Sequence, residues 1–186
     1  MKRTLLPLAL VVILASCTHI VGKNYPGVKQ DKLPAEWAGT YTLKFPSFIG
    51  MMMETANDTS TVTIGSDKIT WITGKDVMTY SLSDSLRYTL LGKDAFISLH
   101  NSHDQYTIFK VKKSEEGLDL FGLTADDGVE IEKLKPYFNN ITEPLEEDDE
   151  EDMGIKLYEV NIDDKKLEAY YQSGIPSSDP IKLVRK

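Results

Sequence analysis

The residues best suited to metal chemistry lie close together between two predicted strands. His100 and His103 are three residues apart, and the carboxylate of Asp104 follows at once. Imidazole nitrogens and carboxylate oxygens are ordinary ligands of zinc and copper, but a stable site needs a further ligand. The remaining histidine, His19, lies near the N-terminus, and Asn101-Ser102 is a typical turn. We therefore expect a polar hairpin loop with solvent-facing histidines, and no bound metal.

Residues for covalent catalysis form no recognisable pattern. The sequence contains no Gly-x-Ser-x-Gly or Ser-x-x-Lys motif, no Gly-rich phosphate loop and no dinucleotide fingerprint. Carboxylates are abundant, but no pair of them stands out as a general acid and base. We expect a non-enzymatic protein without a cofactor.

Eight of the 29 acidic residues lie in a single run, residues 143–152. Carboxylate oxygens suit calcium, but the run lacks the alternating Asp-x-Asp-x-Asp-Gly arrangement that surrounds one ion. Because like charges repel and stay solvated, the run favours a mobile acidic loop. Weak contact with a cation or a partner stays open as an alternative. The formal charge of −8 gives no electrostatic reason to expect a nucleic-acid partner.

The most suggestive apolar segment is residues 45–53, which is rich in phenylalanine and methionine and does not alternate as a strand would. Pliable methionines between the first two strands of a barrel could line an apolar cavity at its mouth. The same side chains could instead plug the barrel end as core, or contact a partner or a membrane. The candidate ligand-binding residues are Phe48, Ile49, Met51, Met52, Met53 and Trp71.

The N-terminus has the features of a secretory signal. Lys2 and Arg3 precede a short apolar run, and the small residues Ala15 and Ser16 precede the sole cysteine, Cys17. The run is too short to span a bilayer, which takes about 20 apolar residues. Removing residues 1–16 would leave 19 basic and 29 acidic residues, and outside the acidic run the mature chain is close to neutral.

Leu14-Ala15-Ser16-Cys17 resembles the lipobox of bacterial lipoproteins. The resemblance implies cleavage before Cys17, a diacylglyceryl group on its thiol and an acyl chain on the new N-terminus, which together anchor a protein stably. Position 18 is Thr, not the Asp that retains many such lipoproteins at the inner membrane, so the resemblance favours the outer membrane. Either face of that membrane stays open. Residues 17–34 contain Gly22, Pro26, Gly27 and Pro34, and we expect them to form a lipidated tether.

Residues 35–186 are expected to form one all-β domain. Short stretches of alternating apolar and polar residues are separated by tight turns, which is typical of an antiparallel meander. Closure into a small barrel of about eight to ten strands would remove exposed edges. One helix of one or two turns is expected near residues 126–139. The predicted strands are 40–45, 61–64, 68–71, 77–82, 86–91, 95–100, 105–112, 118–124, 155–162, 166–172 and 181–184.

Trp37-Ala38-Gly39-Thr40-Tyr41 resembles the opening of lipocalins and of lipocalin-like bacterial lipoproteins. That family begins its barrel with Gly-x-Trp, whose tryptophan packs at the closed end under an arginine from near the last strand. Here Tyr41 stands in the tryptophan position, Trp37 precedes the glycine, and Arg185 could supply the arginine. The resemblance implies barrel closure by Trp37, Tyr41 and Arg185 through a cation–π contact.

These observations predict a lipid-anchored protein of the cell envelope that binds an apolar or amphipathic small molecule. The alternative is an accessory protein that docks onto an envelope complex through the acidic run and outward aromatics such as Tyr170. A third hypothesis is a metal-handling protein that uses His100, His103 and Asp104.

Overall fold

The computed structural model describes residues 18–44, 60–82, 85–100, 104–125, 131–142, 157–176 and 179–186. Strands make up most of this part of the chain. They are β1 (Thr18–Gly22), β2 (Val28–Lys29), β3 (Gly39–Lys44), β4 (Thr61–Ile64), β5 (Lys68–Thr73), β6 (Asp76–Ser81), β7 (Leu86–Leu91), β8 (Asp94–His100), β9 (Tyr106–Lys113), β10 (Gly117–Gly122), β11 (Thr124–Ala125), β12 (Asn139–Thr142), β13 (Leu157–Asn161) and β14 (Ile181–Arg185). The helical elements are a 3₁₀ turn (Ala35–Trp37), α1 (Ile131–Leu134) and α2 (Asp164–Gln172).

The predicted antiparallel all-β fold is confirmed, and the sheet curls into a half-barrel of ten strands. Nine strands follow one another in the order β7-β8-β9-β10-β14-β3-β4-β5-β6, and all eight ladders between them are antiparallel. The short strand β2 pairs with the outer edge of β7. Helix α1 lies inside the range in which a short helix was predicted.

The half-barrel has a seam between β6 and β7. Strand β2 takes the outer edge of β7, and the strand directions also oppose a ladder between β7 and β6. Because nine strands alternate in direction, the first and the last of the row, β7 and β6, point the same way. A ladder between them would be parallel, and parallel neighbours need a connection of about a dozen or more residues. Only residues 82–85 link β6 to β7. In the described part of the chain no ladder joins these two strands.

An N-terminal strap, residues 28–37, runs from β7 to the turn between β4 and β5. Its Gln30 N–H donates to the Tyr88 carbonyl at 2.9 Å, and its Leu33 N–H donates to the Ser66 carbonyl at 2.8 Å. Leu33 and Trp37 insert their side chains into the core of the half-barrel and are nearly fully buried. The strap therefore connects the two sides of the seam.

The concave face of the half-barrel encloses the first core, which alternate residues of the strands supply. Its buried members are Leu33, Trp37, Tyr41, Leu43, Val62, Ile64, Leu82, Leu86, Tyr88, Ile97, Phe109, Val111, Leu118, Ile181 and Leu183. Intervening residues of β8 and β9, such as Phe96 and Ile108, point to the convex face and are also buried. These two strands are therefore covered on both faces.

A lobe covers the convex face of β8 and β9 and holds the second core. It consists of β1, β11, β12, β13, α1 and α2, and β1 runs parallel to β13. Its buried residues are Ile20, Phe96, Ile108, Leu123, Leu134, Phe138, Tyr158, Val160, Ile162, Leu167 and Tyr170. The molecule thus has two cores that share one wall.

The predicted tether over residues 17–34 differs from the structure, in which the described part, residues 18–34, belongs to the folded body. Strand β1 lies inside the lobe, and Ile20 and Val21 are buried. The glycines that suggested a linker are needed for close packing. A Cβ on Gly22 would lie 2.5 Å from the Asn24 carbonyl oxygen, and Gly27 has φ +69° against the backbone of Leu90.

The predicted strand over 166–172 is wrong, because these residues belong to helix α2. The Asp163 side chain caps the helix by accepting a hydrogen bond from the Lys166 N–H at 3.1 Å. Leu167 and Tyr170, three residues apart, lie on the buried face. Helical spacing and an N-terminal cap outweigh the local alternation here.

Candidate functional site

The inner face of β5 and β6 carries a wall of apolar and aromatic side chains. We call Ile69, Trp71, Met78 and Tyr80 the β5–β6 wall. The ladder places Trp71 opposite Met78 and Ile69 opposite Tyr80. Cross-strand partners project to the same face of a sheet, so the four side chains form one continuous surface. Trp71 is the one residue of this wall that the sequence singled out for ligand binding.

The wall is less covered than the apolar residues of β4 and β7 that face the same core. All four of its side chains are only half-buried. Facing residues on neighbouring strands are closed off: Val62 is 3% exposed, Ile64 2% and Leu86 0%. The wall belongs to β6 and its neighbour, at the seam where the row of ladders ends. The half-barrel therefore keeps apolar surface partly accessible at this place.

A short chain of polar groups borders the wall. The Trp71 indole N–H donates to the Thr73 hydroxyl at 2.8 Å, and the Thr73 and Ser60 hydroxyls lie 2.8 Å apart. Ser60 is buried at the start of β4, where its carbonyl accepts from the Leu43 N–H. Apolar lining with a few placed polar groups is the usual make-up of a small-molecule site.

The phenol of Tyr80 adds a second polar point. Its hydroxyl lies 3.7 Å from the Met78 sulfur and donates to it. Burial raises the pKa of Tyr80 above its ordinary value, so the phenol stays neutral at physiological pH. A neutral hydroxyl beside apolar side chains can donate to or accept from a ligand, but it supplies no charge.

The sequence reasoning missed Met78, Tyr80, Thr73 and Ser60. A signal for three of them was present, because the turn after Thr73 fixes the register of the two strands. Counting outward from that turn would have placed Met78 opposite Trp71 and Tyr80 opposite Ile69. Ser60 gave no signal, because its role depends on the long connection between β3 and β4.

The structure brings Trp37, Tyr41 and Arg185 together at the end of the half-barrel where β3 begins. The Tyr41 hydroxyl donates to the Trp37 carbonyl at 2.6 Å, and the Arg185 guanidinium carbon lies 5.5 Å from the centre of the Tyr41 ring. One Arg185 nitrogen, Nη2, contacts the carbonyls of Glu36 and Ala38 at 2.9 and 3.0 Å and the Tyr41 oxygen at 3.1 Å. Trp37 packs edge-to-face on the Tyr88 ring at 5.2 Å.

His100 and Asp104 approach each other, and no third ligand joins them among the residues that the structure describes. The His100 Nε2 lies 3.3 Å from an Asp104 oxygen, and the His100 ring packs against Tyr106 at 5.0 Å. His103 lies outside the described residues. Among the residues that the structure describes, no cluster of three histidine, cysteine, aspartate or glutamate side chains could hold a metal ion.

Most of the remaining predicted residues lie outside the described part of the chain, and one lies in a core. Cys17, the acidic run 143–152 and the apolar residues Phe48, Ile49, Met51, Met52 and Met53 lie outside the described part of the chain. The prediction that Tyr170 faces outward is wrong, because it is fully buried in the lobe and its hydroxyl donates to the Thr124 carbonyl. Its place on the buried face of α2 explains the difference.

No family model, curated protein or solved structure matches this chain. In the described ranges there is no helix with the length and apolar character needed to cross a membrane. The fold and the geometry of the β5–β6 wall are therefore the basis for any functional conclusion.

Proposed function

We propose that this protein is a lipid-anchored cell-envelope lipoprotein whose half-barrel binds an apolar or amphipathic small molecule at the β5–β6 wall. The observation that carries the binding proposal is the half-buried state of Ile69, Trp71, Met78 and Tyr80 beside the closed-off side chains of Val62, Ile64 and Leu86. The lipid anchor rests on the resemblance of residues 14–17 to a lipobox.

Hydrophobic burial supplies the driving force for such binding. A ligand that covers the wall removes apolar surface from water, worth about 25 cal/mol for each Å². The ligand also gains contact with the Trp71 ring, the largest side chain of the wall. The wall lies at the end of the row of ladders, because no ladder of described residues continues the sheet from β6 to β7.

The polar groups favour an amphipathic ligand over a pure hydrocarbon. Trp71, Thr73 and Ser60 form a hydrogen-bonded chain whose last hydroxyl can still donate or accept. A ligand with an apolar body against the wall and one polar group at this chain would satisfy both features. The wall holds no charged side chain, so a strongly ionic ligand is disfavoured.

The wall can be tested by replacing Trp71 with alanine and titrating the protein with the fluorescent apolar probe N-phenyl-1-naphthylamine. We expect the dissociation constant to rise about tenfold, which corresponds to roughly 1.4 kcal/mol of lost contact. Ile72→Ala is the matched control, because Ile72 is an apolar residue of the same strand that points outward and is 38% exposed. Equal affinity of both variants and the unchanged protein would refute binding at the wall.

The docking alternative stays a prediction. One of its two supports is removed, because Tyr170 lies in the core of the lobe. The other, the acidic run 143–152, lies outside the described residues. Val77 is 63% exposed next to Ile72 on the outer face, but a small exposed apolar pair is common on protein surfaces.

A further inference from the structure

Among the described residues, the folded body already includes Thr18, the residue that follows the cysteine of the lipobox. Thr18 is the first residue of β1, so no residue lies between Cys17 and the sheet. Thr18 pairs with Ala125 of β11, and His19 pairs with both Thr124 of β11 and Leu157 of β13. The chain therefore has a strand on either side by its second residue after the cysteine.

Strand β1 cannot be released without opening the lobe. The side chains of Ile20 and Val21 are 2% and 4% exposed, and the Ile20 N–H donates to the Leu123 carbonyl at 3.0 Å. Just beyond the strand, the Asn24 side chain donates to the Ile162 carbonyl at 3.0 Å and accepts from the Ile162 N–H at 2.8 Å. These contacts fix the N-terminal segment to the lobe at several successive residues.

Because residues 18–34 do not form a tether, the folded domain lies closer to the membrane than a tethered domain would. A free coil of residues 18–34 would have a root-mean-square length of roughly 20–25 Å, enough to hold a domain clear of the headgroups. A single extended residue spans at most about 3.6 Å. With β1 in the sheet, only the linkage between Cys17 and Thr18 separates the acylated residue from the body.

We propose that the lobe rests directly on a phospholipid headgroup surface, with the end that holds the first residues of β1 and β13 and the last residue of β11 facing the membrane. This inference depends on the proposed lipidation of Cys17 and adds what the anchored body contacts. The end of α2 belongs to the same side, because the Tyr170 hydroxyl donates to the carbonyl of Thr124, the partner of His19.

A single fluorescent label can measure this contact. Lipidation blocks the Cys17 sulfur as a thioether, so an engineered Gln172→Cys on the exposed end of α2 carries the only reactive thiol. The purified full-length lipoprotein, labelled there with nitrobenzoxadiazole, is reconstituted into phosphatidylcholine vesicles that contain headgroup-spin-labelled phosphatidylcholine. A second form carries a Gly-Ser insertion of about twelve residues between Cys17 and Thr18, which adds roughly 20 Å of mean reach and leaves β1 intact.

We expect the spin-labelled lipid to quench the label strongly in the protein without the insertion. Insertion of the Gly-Ser coil should reduce this quenching about twofold or more. The Cys17→Ser variant with the same label gives the quenching of a protein that lacks the lipid anchor. A lipidated protein whose quenching equals that level, or does not change on insertion, would overturn the membrane contact alone. An intact mass that shows an unmodified Cys17 would overturn the anchor, and the contact with it. The binding test at Trp71 is independent of both outcomes.

Discussion

Arg185 connects the last strand of the half-barrel to the 3₁₀ turn and to the first residues of β3. Its guanidinium donates to the carbonyls of Glu36 and Ala38, contacts the Tyr41 hydroxyl oxygen and lies over the Tyr41 ring. Its Nη2 reaches three acceptors while the planar guanidinium lies over the Tyr41 ring, and lysine has no planar group that could stack in this way. The Arg185 side chain therefore joins β14, the 3₁₀ turn and β3 at this end of the half-barrel.

We expect Arg185→Ala to lower the free energy of unfolding by about 1–2 kcal/mol, because hydrogen bonds from a charged donor and one cation–π contact are lost at a partly solvated site. Arg185→Lys should recover less than half of this loss. Urea denaturation measures the effect, with Lys182→Ala, an exposed cation on the same strand, as the control. Equal stability of the lysine variant and the unchanged protein would show that charge alone matters at this position.

At the scale of elements, helix α2 shows how a cap decides between two local structures. Residues 166–172 could alternate as a strand, but the Asp163 carboxylate accepts from the Lys166 N–H and starts a helix there. The adjacent Asp164 side chain accepts from the Gly27 N–H at 2.9 Å and joins the helix to the N-terminal segment. The helix then places Leu167 and Tyr170 in the lobe core.

Replacing Asp163 with alanine should destabilise the protein by about 1 kcal/mol, because the helix loses its N-terminal cap. Asp163→Ser should keep most of the stability, since serine also caps helices well. Thermal unfolding followed by circular dichroism checks both variants. If serine is as harmful as alanine, the negative charge and not the hydrogen bond is the source of the stabilisation.

Glu159 of β13 joins three parts of the lobe. Its carboxylate lies 2.6 Å from the Lys23 ammonium and accepts from the Gln105 side chain at 2.7 Å, and the Thr142 hydroxyl lies 3.4 Å away. The hydrogen bond from Lys23 is the main cause that lowers the pKa of Glu159, while partial burial opposes it. The carboxylate is therefore more acidic in the folded protein than in the unfolded chain.

Because the folded pKa is lowered, Glu159 stabilises the fold above its unfolded pKa, and this contribution is lost as the pH falls through the lower folded value. We expect Glu159→Gln to cost about 0.5–1 kcal/mol near pH 7, since the Lys23 partner is half-exposed. Below about pH 4 the difference from the unchanged protein should shrink. Unfolding curves at a series of pH values test this, with the exposed Glu116→Gln as control. A difference that is independent of pH would exclude the ion pair as its cause.

For the whole molecule, the shared wall of β8 and β9 joins the half-barrel to the lobe. Ile97 and Phe109 point into one core, while Phe96 and Ile108 point into the other. The N-terminal segment adds a second connection, because β1 belongs to the lobe and the strap belongs to the half-barrel. Neither core can open without exposing buried residues of β8 and β9.

The two cores should therefore unfold in one transition. We expect Val160→Ala in the lobe and Val62→Ala in the half-barrel each to lower the stability by about 1–3 kcal/mol, and each to shift the same transition. Both tryptophans lie in the half-barrel, so their fluorescence reports on that core, whereas the circular dichroism of α2 reports on the lobe. Separate midpoints for the two signals in either variant would show that the cores are independent.

Local sequence patterns were sufficient to predict the positions of most individual strands. In β7 and in β9, alternation and flanking turns placed the element within one residue, because both signals are local. The half-barrel contacts of Trp37, Tyr41 and Arg185 agree in position with the resemblance that suggested them. The half-open wall around Trp71 could be predicted only in part, since its partners depend on the register between β5 and β6.

Local residue patterns predict most of the antiparallel strands, their turns and the lipobox pattern ahead of them, because each of these depends on neighbouring residues. Three features could not be predicted in this way: the folding of residues 18–34, the burial of Tyr170 and the seam between β6 and β7. They depend on contacts between segments that are distant in the sequence. Gly22 is close-packed against Ile108 and Ile162, and the row of nine strands depends on β14 entering the sheet between β10 and β3.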